Sequence, residues 1–233
     1  MYTQHRWFIR GTPPGYDLGA FFMNRVSFLV DGFNFYHSVV DLQRIHKVGS
    51  KWLDIFQLCK SYIYLFGKDA KLESVHYFSA LAHHLAPSDP DRVGRHRQYI
   101  HCLKDSGVIP QLSKFKKKFF FCENCNYKNK RHEEKETDVA IAVKLFELFH
   151  KDLTDTIILI TGDTDLKPAV ITAKELFSSK TVLFGFPFKR KNTELTKIAP
   201  GSFQLKQKMY EKCILNDPYI LKNGKEIPKP EEW

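Results

Sequence analysis

The chain has 233 residues, 43% of them hydrophobic, which is ample for one large packed domain and excludes an intrinsically disordered protein. Lysine and arginine number 36 against 26 aspartates and glutamates, giving a formal charge of +10 and an isoelectric point near 9.3, a balance that favours polyanionic partners such as nucleic acid. Five scattered cysteines, no signal-like leader and no apolar run of membrane-spanning length point to a cytoplasmic protein with no membrane partner.

Residues 1–23 form a Gly- and Pro-punctuated leader expected to lie outside the fold. The run RVSFLVDG then reads as a buried strand ending in a turn at Asp31-Gly32, and FNFYHSVVDLQ as the start of a helix. In KWLDIFQLCKSYIYLF, residues Leu53, Phe56, Leu58, Ile63 and Phe66 recur at roughly helical spacing. A second strand is expected in KLESVHYFSAL, then a loop at APSDPDR and a helix in GRHRQYIHCLKDSG stopped by Gly107. The third strand region, GVIPQLSKFKKKFFFCENCNYKNKR, is interrupted by a CxxC loop.

ETDVAIAVKLFELFH predicts a helix apolar nearly all round and therefore buried against a sheet. TDTIILITGD is the clearest strand, since an unbroken β-branched run suits a strand covered on both faces. A helix with Pro168 in its first turn follows, then the strand KTVLFGFP. The tail NDPYILKNGKEIPKPEEW carries an Asn223-Gly224 turn and is read as a hairpin or a surface strap. This alternation predicts an α/β fold with a mainly parallel sheet.

Ligands of such sheets bind at the carboxyl ends of the strands. Acids fall there three times: Asp31 ends the first strand, Asp163 and Asp165 follow IILIT, and Asp138 opens the AIAVKLFELF helix. Carboxylates that converge on one edge make a hard-oxygen site suited to Mg²⁺ or Mn²⁺. Each also has a local alternative: Asp138 as a first-turn acid with Thr137 as cap, Asp163 or Asp165 as a helix cap, Asp31 as a turn residue. Asn34, three residues after Asp31, is placed to reach the same pocket or to cap a helix. Thr161 and Thr164 are candidates to hold waters or a phosphate at such a site, or to cap the helix that follows. An aspartyl-phosphate chemistry would want a second acid at position 33, where Phe33 stands.

VDGFNFY at 30–36, EKETDVAIAV at 134–143 and ILITGDTDLKPAV at 158–170 together resemble the three acidic motifs of NYN-domain proteins of the LabA-like group, relatives of the PIN-like nucleases. The resemblance runs from about Asn24 to the tail. It implies a PIN-like three-layer α/β/α sandwich over 24–205, a CxxC insertion near 113–132, and a tail, 206–233, that packs on the domain. It also implies a metal-dependent ribonuclease, with Asp31, Asn34, Asp138, Asp163 and Asp165 as catalytic residues and the four aspartates as ligands of Mg²⁺ or Mn²⁺. A non-catalytic nucleic-acid-binding or regulatory module on the same fold is the alternative.

Cys122 and Cys125 have zinc-knuckle spacing without a second CxxC, so a structural Zn²⁺ and a reduced pair both remain open. In KFKKKFFF, strand alternation puts Lys114, Lys116 and Lys118 on one face and Phe115 and Phe119 on the other, a phosphate-facing stripe backed by core. Lys189, Arg190 and Lys191 form a second basic cluster. Of the aromatics beside Asp31, Phe35 is assigned to the core and Tyr36 is a candidate to stack on bases. The partner expected is RNA, single-stranded more readily than duplex, and a homo-oligomer is compatible with the sequence.

Overall fold

The computed structural model describes residues 23–47, 49, 51–121 and 128–233. Seven strands form the main sheet: β1 (Arg25–Asp31), β2 (Lys71–Ala80), β3 (Ile109–Phe121), β4 (Lys128–Lys135), β5 (Thr156–Ile160), β6 (Thr181–Phe186) and β7 (Ser202–Gln204), in the order β4-β3-β2-β1-β5-β6-β7. The six strands from β3 to β7 in that order are parallel, and β4 pairs antiparallel with β3 on the outer edge. The chain builds outward from β1 to β2 and β3, then returns to the other side of β1 with β5, β6 and β7. The β1–β5 seam is therefore the point where strand order reverses, the place where open parallel sheets bind ligands.

Period-two alternation decides what each face of β1 meets. Val26, Phe28 and Val30 join the core formed with α1 (Gly32–His46), α2 (Ile55–Lys60) and α3 (Arg92–Ser106). Leu29 points the other way, into a core with α4 (Thr137–His150), α5 (Lys167–Leu176) and α6 (Thr193–Ile198). Asp31, two residues on from Leu29, continues along the α4 side. The expected three-layer sandwich is present.

Three local expectations are corrected. The segment with helical spacing across 51–66 is not one helix: α2 covers six residues and a 3-10 turn, Ile63–Phe66, follows. Asp54 starts α2 by accepting from the Gln57 amide at 3.0 Å, while Trp52 just before it is fully buried with its indole N–H donated to the Asn216 carbonyl at 3.0 Å. Helix α4 is not buried all round, because Val139 and Val143 are 66% and 60% exposed while Ile141, Leu145 and Leu148 face the sheet. The stripe on β3 lacks the core expected behind it, since Phe119 is 51% exposed; only residues 109–113 pair with β2, and beyond them the strand leaves the sheet with β4 alone. The cysteines of the CxxC and residues 1–22 of the leader lie outside the described residues, so the zinc expectation is not tested.

The tail is part of the core. After α7 (Gln207–Lys212), the short antiparallel pair β8 (Tyr219–Ile220) and β9 (Glu226–Ile227) turns through Asn223-Gly224, with Gly224 at φ +84°. Tyr210, Leu215, Leu221 and Ile227 are buried in the cluster that holds α1 to α3, and Trp233 lies against Trp52 and Tyr99 at centroid distances of 6.0 and 5.5 Å. Burial of those four side chains is worth about 1.5–3 kcal/mol each, a sum comparable with the roughly 5–15 kcal/mol that keeps a domain folded. Deleting residues 207–233 should abolish the cooperative melting transition seen by circular dichroism; a truncated chain that melts within a few degrees of the full one would contradict the tail's place in the core.

Candidate metal centre

Asp31 is built into the junction between β1 and α1. An extended backbone (φ −71°, ψ 101°) makes it the N-cap of α1, its Oδ1 accepting the amides of Phe33 and Asn34 at 3.1 and 3.0 Å. The helix can start this abruptly because residue 32 is glycine: a Cβ there would lie 2.4 Å from the Phe78 carbonyl oxygen and 2.7 Å from the Tyr77 ring. The other oxygen, Oδ2, accepts the Thr161 hydroxyl at 2.8 Å, and the residue is only 4% exposed. Both carboxylate oxygens are thereby held in fixed directions.

Thr161 carries the order across the seam to the next strand. Its Oγ1 donates to Asp31 and accepts the Asp163 amide at 3.1 Å, so one hydroxyl joins the two acids. Between them Gly162 is clamped from both sides, its N–H donated to Asn34 Oδ1 at 3.1 Å and its carbonyl accepting from Asn192 Nδ2 at 3.2 Å. A Cβ on Gly162 would sit 2.1 Å from the Arg190 carbonyl oxygen, so the loop after β6 closes directly over this turn. Asp163 caps the 3-10 turn Thr164–Leu166, accepting the Asp165 amide at 3.1 Å.

Asp138 arrives by a different route. Because β4 runs antiparallel and returns only as far as Lys114 on β3, α4 begins at the carboxyl edge of the sheet. Its first turn presents Asp138 to the seam. Asp31, Asp138 and Asp163 each offer an oxygen within 4.8 Å of the others. Asp165 is exposed and outside this trio, but its charge is felt at Asp138. Burial, and then the charges of Asp163, Asp31 and Asp165, push the Asp138 carboxyl up to about 6. Burial likewise raises Asp31, against the lowering effect of its bonds from Asn34 and Thr161. Among the described residues, no lysine or arginine forms an ion pair with any of the four aspartates.

The remaining candidates fall into two groups. Asn34 serves through its amide oxygen as a clamp on Gly162, which positions the acids. Lys116 pairs with Glu136 at 2.9 Å and so ties the β3–β4 hairpin to the start of α4, with Lys114 exposed nearby. Lys118 lies farther along the hairpin. Arg190 is a strut, its Nη2 on Asp41 of α1 at 2.7 Å, while its neighbours Lys189 and Lys191 are exposed. Phe35 is buried and Tyr36 is 38% exposed. Sequence reasoning missed Asn192, for which the chain gives no signal, and Gly162, whose place between Thr161 and Asp163 was the available clue. It also passed over Phe33, 49% exposed beside Asp31.

Comparison with known proteins agrees with this architecture. A crystal structure of a protein of unknown function, VPA0982 from Vibrio parahaemolyticus RIMD 2210633, superposes with a TM-score of 0.52 at 18% identity, covering 81% of this chain and 97% of that one. At that identity the likeness is one of fold. MurG from Acinetobacter baumannii reaches a TM-score of only 0.34 at 11% identity, over 78% of this chain and 41% of that one, and carries no argument. No curated protein matches the sequence. The NYN domain matches residues 25–206, a span that contains the whole acidic trio and every strand of the main sheet, and the chain belongs to the NYN domain family.

Proposed function

We propose that the protein is a metal-dependent endoribonuclease that hydrolyses RNA phosphodiester bonds at the Asp31–Asp138–Asp163 cluster. The observation that carries this reading is the trio itself: three carboxylates within 4.8 Å of one another, none of them in an ion pair with a lysine or arginine among the described residues. That donor set fits a divalent cation of the hard class, Mg²⁺ or Mn²⁺, held by Asp31, Asp138 and Asp163 with Asp165 at its margin. Such a cation, when bound, supplies an activated water and neutralises charge that develops on the phosphate.

The chain's own residues do the positioning. Asp31 is immobilised by two amides and a hydroxyl, and the Thr161 hydroxyl keeps Asp163 in register with it. Burial and the neighbouring acids push the Asp138 carboxyl up to about 6, so this side chain gains most from a cation that offsets its charge. Exposed Lys189 and Lys191 flank the site on the loop that closes over Gly162, and a net charge of +10 draws a polyanion to the molecule. An RNA substrate is consistent with that charge.

Two experiments test the reading. With labelled RNA and Mn²⁺ or Mg²⁺, Asp163→Asn should cut at least about a hundred-fold more slowly than the parent, and Thr161→Val, which removes only the linking hydroxyl, about ten- to a hundred-fold. EDTA should stop the reaction. Cleavage that survives both Asp163→Asn and EDTA would overturn the proposal, and binding without cleavage would favour a non-catalytic module.

The second concerns charge. A carboxyl whose pKa is raised by folding holds its proton more tightly in the folded chain, so its ionisation opposes folding above about pH 6, and the opposition vanishes as pH falls below the ordinary carboxylate value. In EDTA, Asp138→Asn should therefore raise the melting temperature at pH 7.5, by about 2–4 °C if the relief is about 1 kcal/mol. The gain should shrink as pH falls from 6 to about 4. An Asp138→Asn protein less stable than the parent at pH 7.5 would mean that the carboxylates do not repel.

A further inference from the structure

We propose that the exposed ring of Phe33, braced by His37, is a stacking shelf for one unpaired base of the RNA strand next to the bond held at the acidic trio. This deepens the ribonuclease reading and rests on it, since it makes the substrate single-stranded at that position.

Helix α1 has no structural need for this ring. Its apolar face is already satisfied by Phe35, Val39 and Leu42, all buried, whereas Phe33 belongs to neither core cluster and is 49% exposed. Its position is nevertheless tightly fixed. The Phe33 amide is bonded to Asp31 Oδ1 at 3.1 Å, so the backbone bearing the ring is in direct contact with the acid site. At Gly32 the chain passes so close to Phe78 and Tyr77 that a Cβ would not fit, and the ring meets His37, one helical turn on, in a T-shaped contact at a centroid distance of 4.5 Å and an interplanar angle of 81°. Tyr36, 38% exposed, stands at 5.8 Å from the same histidine. A preplaced aromatic face loses little entropy when a flat ligand settles on it.

The surrounding charge selects the ligand. On the same helix, Asn34 holds Gly162 and Asp41 holds Arg190, so the loop after β6 is strapped to α1 with Lys189 and Lys191 exposed on it. The acids, the shelf and the basic loop are thus joined through one short helix segment. A strand whose reacting phosphate lies at the acids then has lysines near its backbone and a ring beside it for a base. Every base has a π-face, so the contact tolerates sequence, but a base paired and stacked inside a duplex cannot make it.

The test uses the full chain with Asp163→Asn to prevent cleavage, in Mg²⁺, and an RNA of about 12 nucleotides carrying 2-aminopurine, free or annealed to its complement. The parent should bind the single strand and quench its fluorescence. Adding Phe33→Leu should weaken single-strand binding about ten-fold and remove the quench, with duplex affinity and melting temperature unchanged. Phe33→Tyr should restore both, and Tyr64→Leu, which removes a 70% exposed ring in the 3-10 turn after α2, should change neither. The shelf is overturned if Phe33→Leu binds single-stranded RNA as the parent does, if it loses duplex and single strand equally, or if the parent binds no RNA. Loss of binding in Phe33→Leu from a protein that never cleaves RNA would sustain the shelf and sink the nuclease reading. Unchanged binding in a protein that does cleave would do the reverse.

Discussion

Mutual repulsion among three carboxylates at one edge of the sheet is the constraint on which the rest of this structure turns. With oxygens within 4.8 Å of one another, ionised carboxylates repel, a cost of about 1 kcal/mol at Asp138 once solvent screening is counted. Nothing in the fold requires that arrangement. The two central strands, β1 and β5, have apolar interiors that would pair equally well with neutral residues after them, and α4 could begin with an uncharged turn. Asp31, Asp138 and Asp163 together make a cluster that could bind a divalent cation.

The architecture delivers the three acids by separate devices. Strand order puts the ends of β1 and β5 side by side, which brings Asp31 and Asp163 together. The antiparallel return of β4 delivers the start of α4 to the same edge, which adds Asp138. Small groups then fix the fine positions: the Thr161 hydroxyl between two acids, Gly162 under the Arg190 carbonyl, and the Asn34 and Asn192 amides on either side of that glycine. These residues hold the carboxylates in place, so the polar framework of the site extends beyond the acids themselves.

Much of this was legible in the chain because it follows from local chemistry. The run TIILI could only be a strand covered on both faces, and the acids beyond β1 and β5 fall where parallel sheets bind ligands. What escaped depends on contacts between distant segments. The tail was read as a hairpin or a strap, and the hairpin at Asn223-Gly224 is there, but the burial of Leu215, Leu221 and Ile227 in the core was not foreseen, since nothing local distinguishes a buried leucine in a polar stretch from an exposed one. Asn34 was read as a pocket residue or a helix cap, and the contact it makes, with the Gly162 amide 128 positions away, is one that no local pattern announces. Helix α4 packs against the sheet as its apolar sequence led one to expect, but Val139 and Val143 stay exposed because it covers the sheet with one side only, and an all-apolar helix sequence does not say how many sides will be covered. Phe33 went unnoticed for the converse reason: composition favours the interior for phenylalanine, and only the packing of α1 reveals that this ring is spare.

The central claim is that the carboxylate trio exists to hold a divalent cation, and crystallography with Mn²⁺ tests it most directly. Crystals soaked in Mn²⁺ and measured for anomalous scattering should show a peak among the carboxylates of Asp31, Asp138 and Asp163. Manganese bound elsewhere, or no peak while the three side chains remain together and share protons, would contradict it.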